Sequence, residues 1–277
     1  MMSPFHTSQS FVALDFETTG KYPVNSEICE IALIRFKGGQ VIQRYESFVK
    51  PLKGMTKESE NIHGLSLESL SEAPSLEKVL DEAVEFIGED PLVGHNISFD
   101  LGFLVYELER LKPKGFERIN RNHFCTSYLS LMLWPKLTSH RLMHLADHIG
   151  IDLKPNHRAM QDAEVCMKVF LELIKSFDSL EAILKAQKAN LHYESFSIKN
   201  LIQEKKYFSN LVEACERNEE FELKYSKGSK KNQWRPLVPK GLVLKEDDLG
   251  FLVAVDPGDI QTKRFKITKI EDVRLKS

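Results

Sequence analysis

The chain has 277 residues, 42% hydrophobic and 28% charged, a composition that excludes wholesale disorder and allows one large or two modest domains. Its formal net charge of −2 excludes a polycation, so a nucleic-acid partner would have to be met by local basic patches or metal ions. There is no apolar run as long as a membrane helix, no signal-peptide core near the start, and no C-x-x-C pair among the four cysteines. We therefore expect a cytoplasmic protein with free thiols and no membrane partner.

The first 176 residues predict an α/β domain. Three consecutive strand-like segments are followed by alternating helices and strands, which indicates a mixed sheet. The predicted strands cover 11–16, 28–36, 41–49 and 91–94, and the predicted helices cover 75–87, 98–111, 139–149 and 159–175.

The rest of the chain divides into a connector and a second, smaller domain. Residues 177–202 are polar and helix-like, and they predict a helical linker. Residues 203–277 begin with a predicted helix at 208–218 and continue as short strands separated by turn signals, which is typical of a small β-barrel or sandwich. Those strands are predicted at 220–225, 241–244, 250–255, 262–267 and 271–275. Residues 222–277 carry 13 Lys and Arg against 8 Asp and Glu, so this domain is mildly basic.

Two acids stand at the end of the first predicted strand. Asp15 and Glu17 are two positions apart, so their side chains point to the same side of the strand. Like charges at that distance need compensation, and hard carboxylate oxygens suit Mg²⁺ or Mn²⁺. A D-x-E pair recurs by accident, so alone it predicts little.

Two further stretches place acids at helix starts. Asp100 follows a Gly-His-Asn turn and lies in the first turn of a predicted helix, where the helix dipole favours a carboxylate. His157 precedes another helix, and Asp162 comes five residues later. Histidine is the side chain best suited to exchanging a proton near neutral pH. Each stretch alone is commonplace, but their order and their placement at element ends form one set.

Together these stretches resemble the three motifs of the DEDDh exonuclease superfamily, which includes the epsilon proofreading subunit of bacterial DNA polymerase III. The resemblance runs from about residue 11 to 170. The segments that carry it are Asp15-Phe-Glu-Thr-Thr-Gly20, Ile28-x-Glu30-Ile31-Ala32, Ile62-His63-Gly64-Leu65, His95-Asn96-x-x-Phe99-Asp100 and His157-Arg-Ala-x-x-Asp162-Ala163.

The resemblance implies an RNase H-like fold and a metal-dependent 3′→5′ exonuclease that releases nucleoside 5′-monophosphates from single-stranded 3′ ends. Asp15, Glu17, Asp100 and Asp162 would hold two Mg²⁺ or Mn²⁺ ions, and His157 would be the general base. The terminal nucleotide would be contacted by Thr18, Thr19, Glu58 and His63. His95 and Asn96 would be architectural.

Residues 203–277 resemble a WYL domain, a small SH3/Sm-like barrel found in bacterial regulators. The segments that carry this resemblance are Trp234-Arg-Pro236-Leu-Val-Pro239, Gly250-Phe251-Leu252 and Lys263-Arg264-Phe265. The name-giving triplet is Gly250-Phe251-Leu252 here, a departure that bears on ligand binding more than on fold. A nucleic acid, a nucleotide or a protein are all expected partners of this domain.

Three functional hypotheses follow. The leading one is an exonuclease of DNA repair or proofreading, with DNA favoured over RNA as substrate. The others are an RNA-trimming exoribonuclease and a protein that binds nucleic-acid ends or senses nucleotides without cutting. The complete set of acids with His157 favours an enzyme over a binder.

Overall fold

A computed structural model describes residues 8–119, 122–151, 158–245 and 249–276. The N-terminal part is built on a five-stranded mixed sheet of order β3-β2-β1-β4-β5. β1 pairs antiparallel with β2 and parallel with β4, so it lies in the middle of the sheet. The strands are β1 (Ser10–Thr18), β2 (Ile28–Lys37), β3 (Gln40–Phe48), β4 (Leu92–Gly94) and β5 (Phe124–Cys125).

Helices cover both faces of this sheet, as the α/β prediction requires. Their bounds are α1 (Lys57–His63), α2 (Leu76–Ile87), α3 (Ser98–Leu111), α4 (Thr126–Leu133), α5 (Leu142–His148) and α6 (Ala159–Ile174). The mixed α/β architecture is confirmed. The α3 bounds agree with the sequence prediction, whereas α1 and α4, each about two turns long, were not predicted.

Residues of β1 alternate between two apolar clusters. Phe11 and Ala13 pack in a cluster with α6, while Val12 and Leu14 pack in the other cluster with α2 and α3. Because strand side chains alternate, Asp15 and Glu17 continue the face that α6 covers. The hydrophobic pattern of one strand therefore fixes the side on which its acids emerge.

The C-terminal part is a second sheet of five antiparallel strands, of order β10-β6-β7-β8-β9. Its elements are α9 (Phe208–Arg217), β6 (Phe221–Tyr225), β7 (Trp234–Val243), β8 (Phe251–Val255), β9 (Lys263–Lys266) and β10 (Ile270–Leu275). Within the described residues β9 and β10 form opposite edges, so the expected closed SH3/Sm-like barrel is not confirmed. α9 packs on β7 and β10 and so covers apolar surface that a closed barrel would bury with its own strands.

The connector is helical, and several of its side chains pack into the core. It contains α7 (Leu180–Gln187) and most of α8 (Ile198–Glu204). Its side chains Phe196, Ile198 and Leu201 belong to one apolar cluster that reaches from Val12 in β1 to Val273 in β10. The two sheets therefore share a continuous core.

All four cysteines, Cys29, Cys125, Cys166 and Cys215, are buried free thiols, as the sequence predicted. No helix within the described ranges combines the length and the apolar character needed to cross a bilayer.

Candidate metal centre and nucleotide pocket

Three carboxylates converge at the end of β1. One oxygen from each of Asp15, Glu17 and Asp162 can lie within 4.8 Å of the others. Asp15 and Glu17 come from β1, and Asp162 comes from the first turn of α6, which packs on the same face of the sheet. Oxygen ligands of this kind suit a hard divalent cation, so the donor set fits Mg²⁺ or Mn²⁺.

Asp100 approaches the same place from the opposite face of the sheet. It lies in the first turn of α3, is 4% exposed, and accepts a hydrogen bond of 3.1 Å from the backbone N–H of Phe16. Asn96, just before the helix, has φ 57°, a left-handed conformation that asparagine tolerates. His95 is anchored by a 2.9 Å contact between its Nδ1 and the Thr126 hydroxyl. This turn directs Asp100 towards β1.

Asp15, Glu17 and Asp100 have raised pKa values, first because burial removes water from them and, for Asp15 and Glu17, also because neighbouring acids repel them. Burial raises the pKa of Asp100 to about 8. Burial, then Glu30, Asp162 and Asp100, raise the pKa of Glu17 to about 8. The pKa of Asp15 is also raised well above its usual value, by burial and then by Asp100 and Asp162. Gathered acids of this kind are stabilised as carboxylates when cations lie between them.

Glu30 is an acid whose role the sequence motifs did not reveal. It lies opposite Glu17 in the β1–β2 register and is fully buried. Arg158 donates to it from Nε at 3.2 Å and from Nη2 at 2.7 Å, and the Ala159 N–H approaches it at 3.4 Å. Because Arg158 and Ala159 begin α6, this ion pair fixes the helix start that carries Asp162. The ion pair joins positions 128 apart in the chain, a contact that the sequence alone does not specify.

A cavity of about 260 Å³ adjoins the acids. Its lining residues are Phe16, Glu17, Thr18, Gly20, Lys21, Glu58, Ser59, Ile62, His63 and Phe99. Three of the four predicted substrate residues, Thr18, Glu58 and His63, are therefore brought together around one pocket. Thr19 lies beside it and is buried, with its hydroxyl accepting from the Glu27 N–H at 2.9 Å.

His63 is turned inward in this pocket. It is 5% exposed, its Nδ1 accepts from the Leu65 N–H at 3.1 Å, and its Nε2 lies 3.3 Å from the Thr18 carbonyl. Burial lowers its pKa, which favours the neutral ring with a proton on Nε2 for the bond to Thr18. Glu58, by contrast, is exposed and pairs with Lys21 at 2.7 Å. His157, the predicted base, lies outside the described residues.

Residues 12–170 match the family model described as "Exonuclease" (RNase_T). The chain belongs to this exonuclease family. Residues 206–275 match the WYL domain model, in agreement with the second resemblance.

Known proteins with similar sequences include the PolC-type DNA polymerase III of Oceanobacillus iheyensis, 34% identical over 60% of this chain. The corresponding protein of Thermotoga maritima is 32% identical over 73% of this chain. The chain spans only 11% and 15% of these two relatives. The similarity therefore concerns a small part of each polymerase.

Two solved structures share the fold. Exonuclease X has a TM-score of 0.51 and 21% identity, with 64% of this chain and 99% of that chain covered. E. coli Exonuclease I has a TM-score of 0.54 and 17% identity, with 91% of this chain and 56% of that chain covered. The second match extends across both sheets of this exonuclease.

We expect Asp100→Asn to make the metal-free protein more stable, increasingly so as pH rises from 5 to 8. The raised pKa of Asp100 means that its contribution to stability is present below the unfolded-state value near 4 and is lost as pH rises through about 8. The neutral amide avoids that loss, with an advantage of up to ~1.4 kcal/mol per pH unit.

Thermal unfolding in EDTA at several pH values measures this difference, and added Mn²⁺ should then stabilise the wild type more than the variant. Glu164→Gln is the matched control, because the pKa of Glu164 is lowered by its bond to Lys168 and its removal should bring no gain at high pH. An Asp100→Asn protein no more stable than wild type at pH 8 contradicts the account.

We expect Arg158→Ala to destabilise the protein more than Glu30→Gln does. The first change leaves a fully buried carboxylate without its cation, which costs ~3–5 kcal/mol, whereas the second leaves a half-exposed guanidinium that water can reach. The double variant should recover part of the loss. Denaturant unfolding measures all three, and Arg44→Ala, which removes a more exposed 3.0 Å ion pair from β3 to Glu164, is the control. Equal losses for Arg158→Ala and Arg44→Ala would refute the assignment.

Proposed function

We propose that the protein is a metal-dependent 3′→5′ exonuclease that releases nucleoside 5′-monophosphates from single-stranded DNA ends. The observation that carries the proposal is the convergence of Asp15, Glu17 and Asp162 within 4.8 Å beside a pocket of nucleotide scale. Membership of the exonuclease family supports the same chemistry.

The pocket has the composition that a terminal nucleotide requires. Phe99 and Ile62 provide apolar surface for a base, and Ile62 is 50% exposed although it is a large aliphatic residue. Glu17 also lines the pocket, and a phosphate could approach it only with cations between the like charges. The base would therefore lie against Phe99 and Ile62, and the scissile phosphate would lie towards Glu17.

In the proposed mechanism, Asp15, Glu17, Asp100 and Asp162 would hold two Mg²⁺ or Mn²⁺ ions. Such ions supply a lower pKa for water and neutralise charge on the phosphate and the leaving oxygen. His157 accepts the proton of the attacking water, as its place in the motif implies. Arg158, held by Glu30, fixes the chain directly after this histidine.

DNA is the favoured substrate because the similar proteins named above are DNA polymerases, and because Exonuclease X and Exonuclease I were solved with DNA. DNA repair or replication is therefore the proposed setting. An RNA substrate is the second candidate, since a 3′-exonuclease that recognises a histone mRNA stem-loop shares the fold at a TM-score of 0.52 and 14% identity.

The C-terminal sheet is proposed to bind nucleic acid or a nucleotide rather than a protein. Two of its aromatic rings are covered by cations: Arg274 lies 3.7 Å from the centroid of Trp234, and Arg264 lies 5.0 Å from that of Phe251. Rings and cations arranged in this way favour contact with bases and phosphates. Docking of a protein partner is the alternative.

We expect the purified protein with Mg²⁺ or Mn²⁺ to shorten a 5′-labelled single strand one nucleotide at a time. Gel analysis on matched DNA and RNA strands measures both the activity and the choice of polymer. Asp15→Asn is the control, because it keeps the shape of the side chain but removes a ligand charge. If the wild type forms no more product than Asp15→Asn does, the exonuclease proposal is contradicted and only the hypothesis of a non-cutting binder is left.

We expect His157→Ala to lower kcat by roughly a hundredfold or more, the usual contribution of a general base, with little change in DNA binding. Cleavage is followed with Mn²⁺ and binding is measured by anisotropy with Ca²⁺. Equal losses in cleavage and binding would contradict the base assignment.

A further inference from the structure

The loop that follows β1 is held by the C-terminal sheet. This loop, residues 20–25, contains Tyr22, whose side chain lies directly against Gly241 in β7. A β-carbon added at Gly241 would come within 2.2 Å of the Tyr22 ring and within 2.3 Å of the Tyr22 β-carbon. Three residues later, the Asn25 side-chain amide donates to the Lys240 carbonyl at 2.9 Å.

Gly241 is required at this point for two reasons. Its φ of +152° lies outside the range that side chains readily adopt, and it lies where a bulge interrupts the pairing of β7 with β8. β7 is also the middle strand of its sheet, between β6 and β8. The loop thus rests against the most firmly held strand of the C-terminal sheet.

The 20–25 loop is itself part of the nucleotide pocket. Gly20 and Lys21 line that pocket directly, next to Thr18. The base of the loop is closed by a 2.8 Å bond from the Thr19 N–H to the Glu27 carbonyl. Farther along, Pro23 faces Gly102 in α3, two residues after Asp100: a β-carbon at Gly102 would lie 3.4 Å from the proline ring.

We propose that the C-terminal sheet positions the nucleotide pocket, and that Gly241 is a positioning residue acting through Tyr22. The contact joins the central strand of one sheet to the loop that leaves the acidic strand of the other. The inference deepens the proposed exonuclease function and rests on it. It implies that a ligand displacing β7 alters substrate affinity without reaching the metal centre.

A purely structural contact would leave the pocket intact in every folded molecule. A positioning contact instead changes the affinity for substrate, while the acids that perform the chemistry stay in place. The two roles therefore differ in the split between KM and kcat and in the local motion of the loop.

The test measures kcat and KM on a labelled eight-nucleotide oligo(dT) with Mn²⁺ for Gly241→Ala, Tyr22→Gly and the double variant. We expect Gly241→Ala to raise KM about tenfold with a smaller change in kcat, within the loss that small misplacements produce. Tyr22→Gly removes both the ring and the β-carbon that the new methyl would strike. The double variant should therefore be no worse than Tyr22→Gly alone, a non-additive result that identifies Tyr22 as the path.

Gly258→Ala is the matched control. Gly258 lies in the same domain with φ +79°, but a β-carbon there meets nothing within 4 Å. It therefore places a side chain at a positive φ without the contact, and we expect wild-type kcat and KM. Amide exchange of residues 18–27 should quicken in Gly241→Ala and not in Gly258→Ala.

A folded Gly241→Ala protein with wild-type KM overturns the proposal. So does a rise in KM on Gly241→Ala that is equally large whether or not Tyr22 has been replaced. If Gly241→Ala does not fold, Tyr22→Ala and Asn25→Ala decide: wild-type KM and exchange in both would refute it, and a raised KM with unchanged thermal stability would support it. Failure of the exonuclease proposal is distinguishable, because the wild type itself would then show no cleavage.

Discussion

Mutual repulsion of buried carboxylates is the constraint on which the rest of the structure depends. Asp15, Glu17, Asp100 and Asp162 come from three elements, and each raises the free energy of the others as anions. A fold that brings them together needs firm support, and the support is visible. β1 is held between two strands, Asp100 is tied to the β1 backbone, and the start of α6 is tied to Glu30 through Arg158. Packing of the apolar core thus offsets the free energy that repulsion between the acids costs the folded state.

The acids stand out in the sequence, whereas the contacts that support them do not. Asp15 and Glu17 share a face because strands alternate, and Asp100 and Asp162 occupy helix starts that the pattern marks. These are local properties that few residues determine. The Glu30–Arg158 pair joins positions 128 apart, and it depends on α6 packing against the strand that carries Glu30. Such long-range contacts have no signal in a single sequence.

The C-terminal sheet also shows what the sequence alone does not predict. β7 was predicted only over 241–244, because Pro236 and Pro239 argue against a strand before that point. In the structure it begins at Trp234. Pro236 is exposed, and Pro239 coincides with a bulge where no ladder bond is needed. The sequence also presented the two parts as separable, whereas one apolar cluster runs through both. A shared core and the Tyr22–Gly241 contact make the second sheet part of the enzyme’s framework.

The burial of all four thiols makes the protein well suited to site-directed labelling. Thiol reagents react with thiolates, and burial raises the pKa of Cys29, Cys166 and Cys215, so little thiolate is present at neutral pH. A cysteine introduced at a solvent-exposed position would then react selectively, without removal of the native ones. Ile260 is 96% exposed and lies between β8 and β9. A dye attached through Ile260→Cys would report on the C-terminal sheet when a nucleic acid is added to the protein.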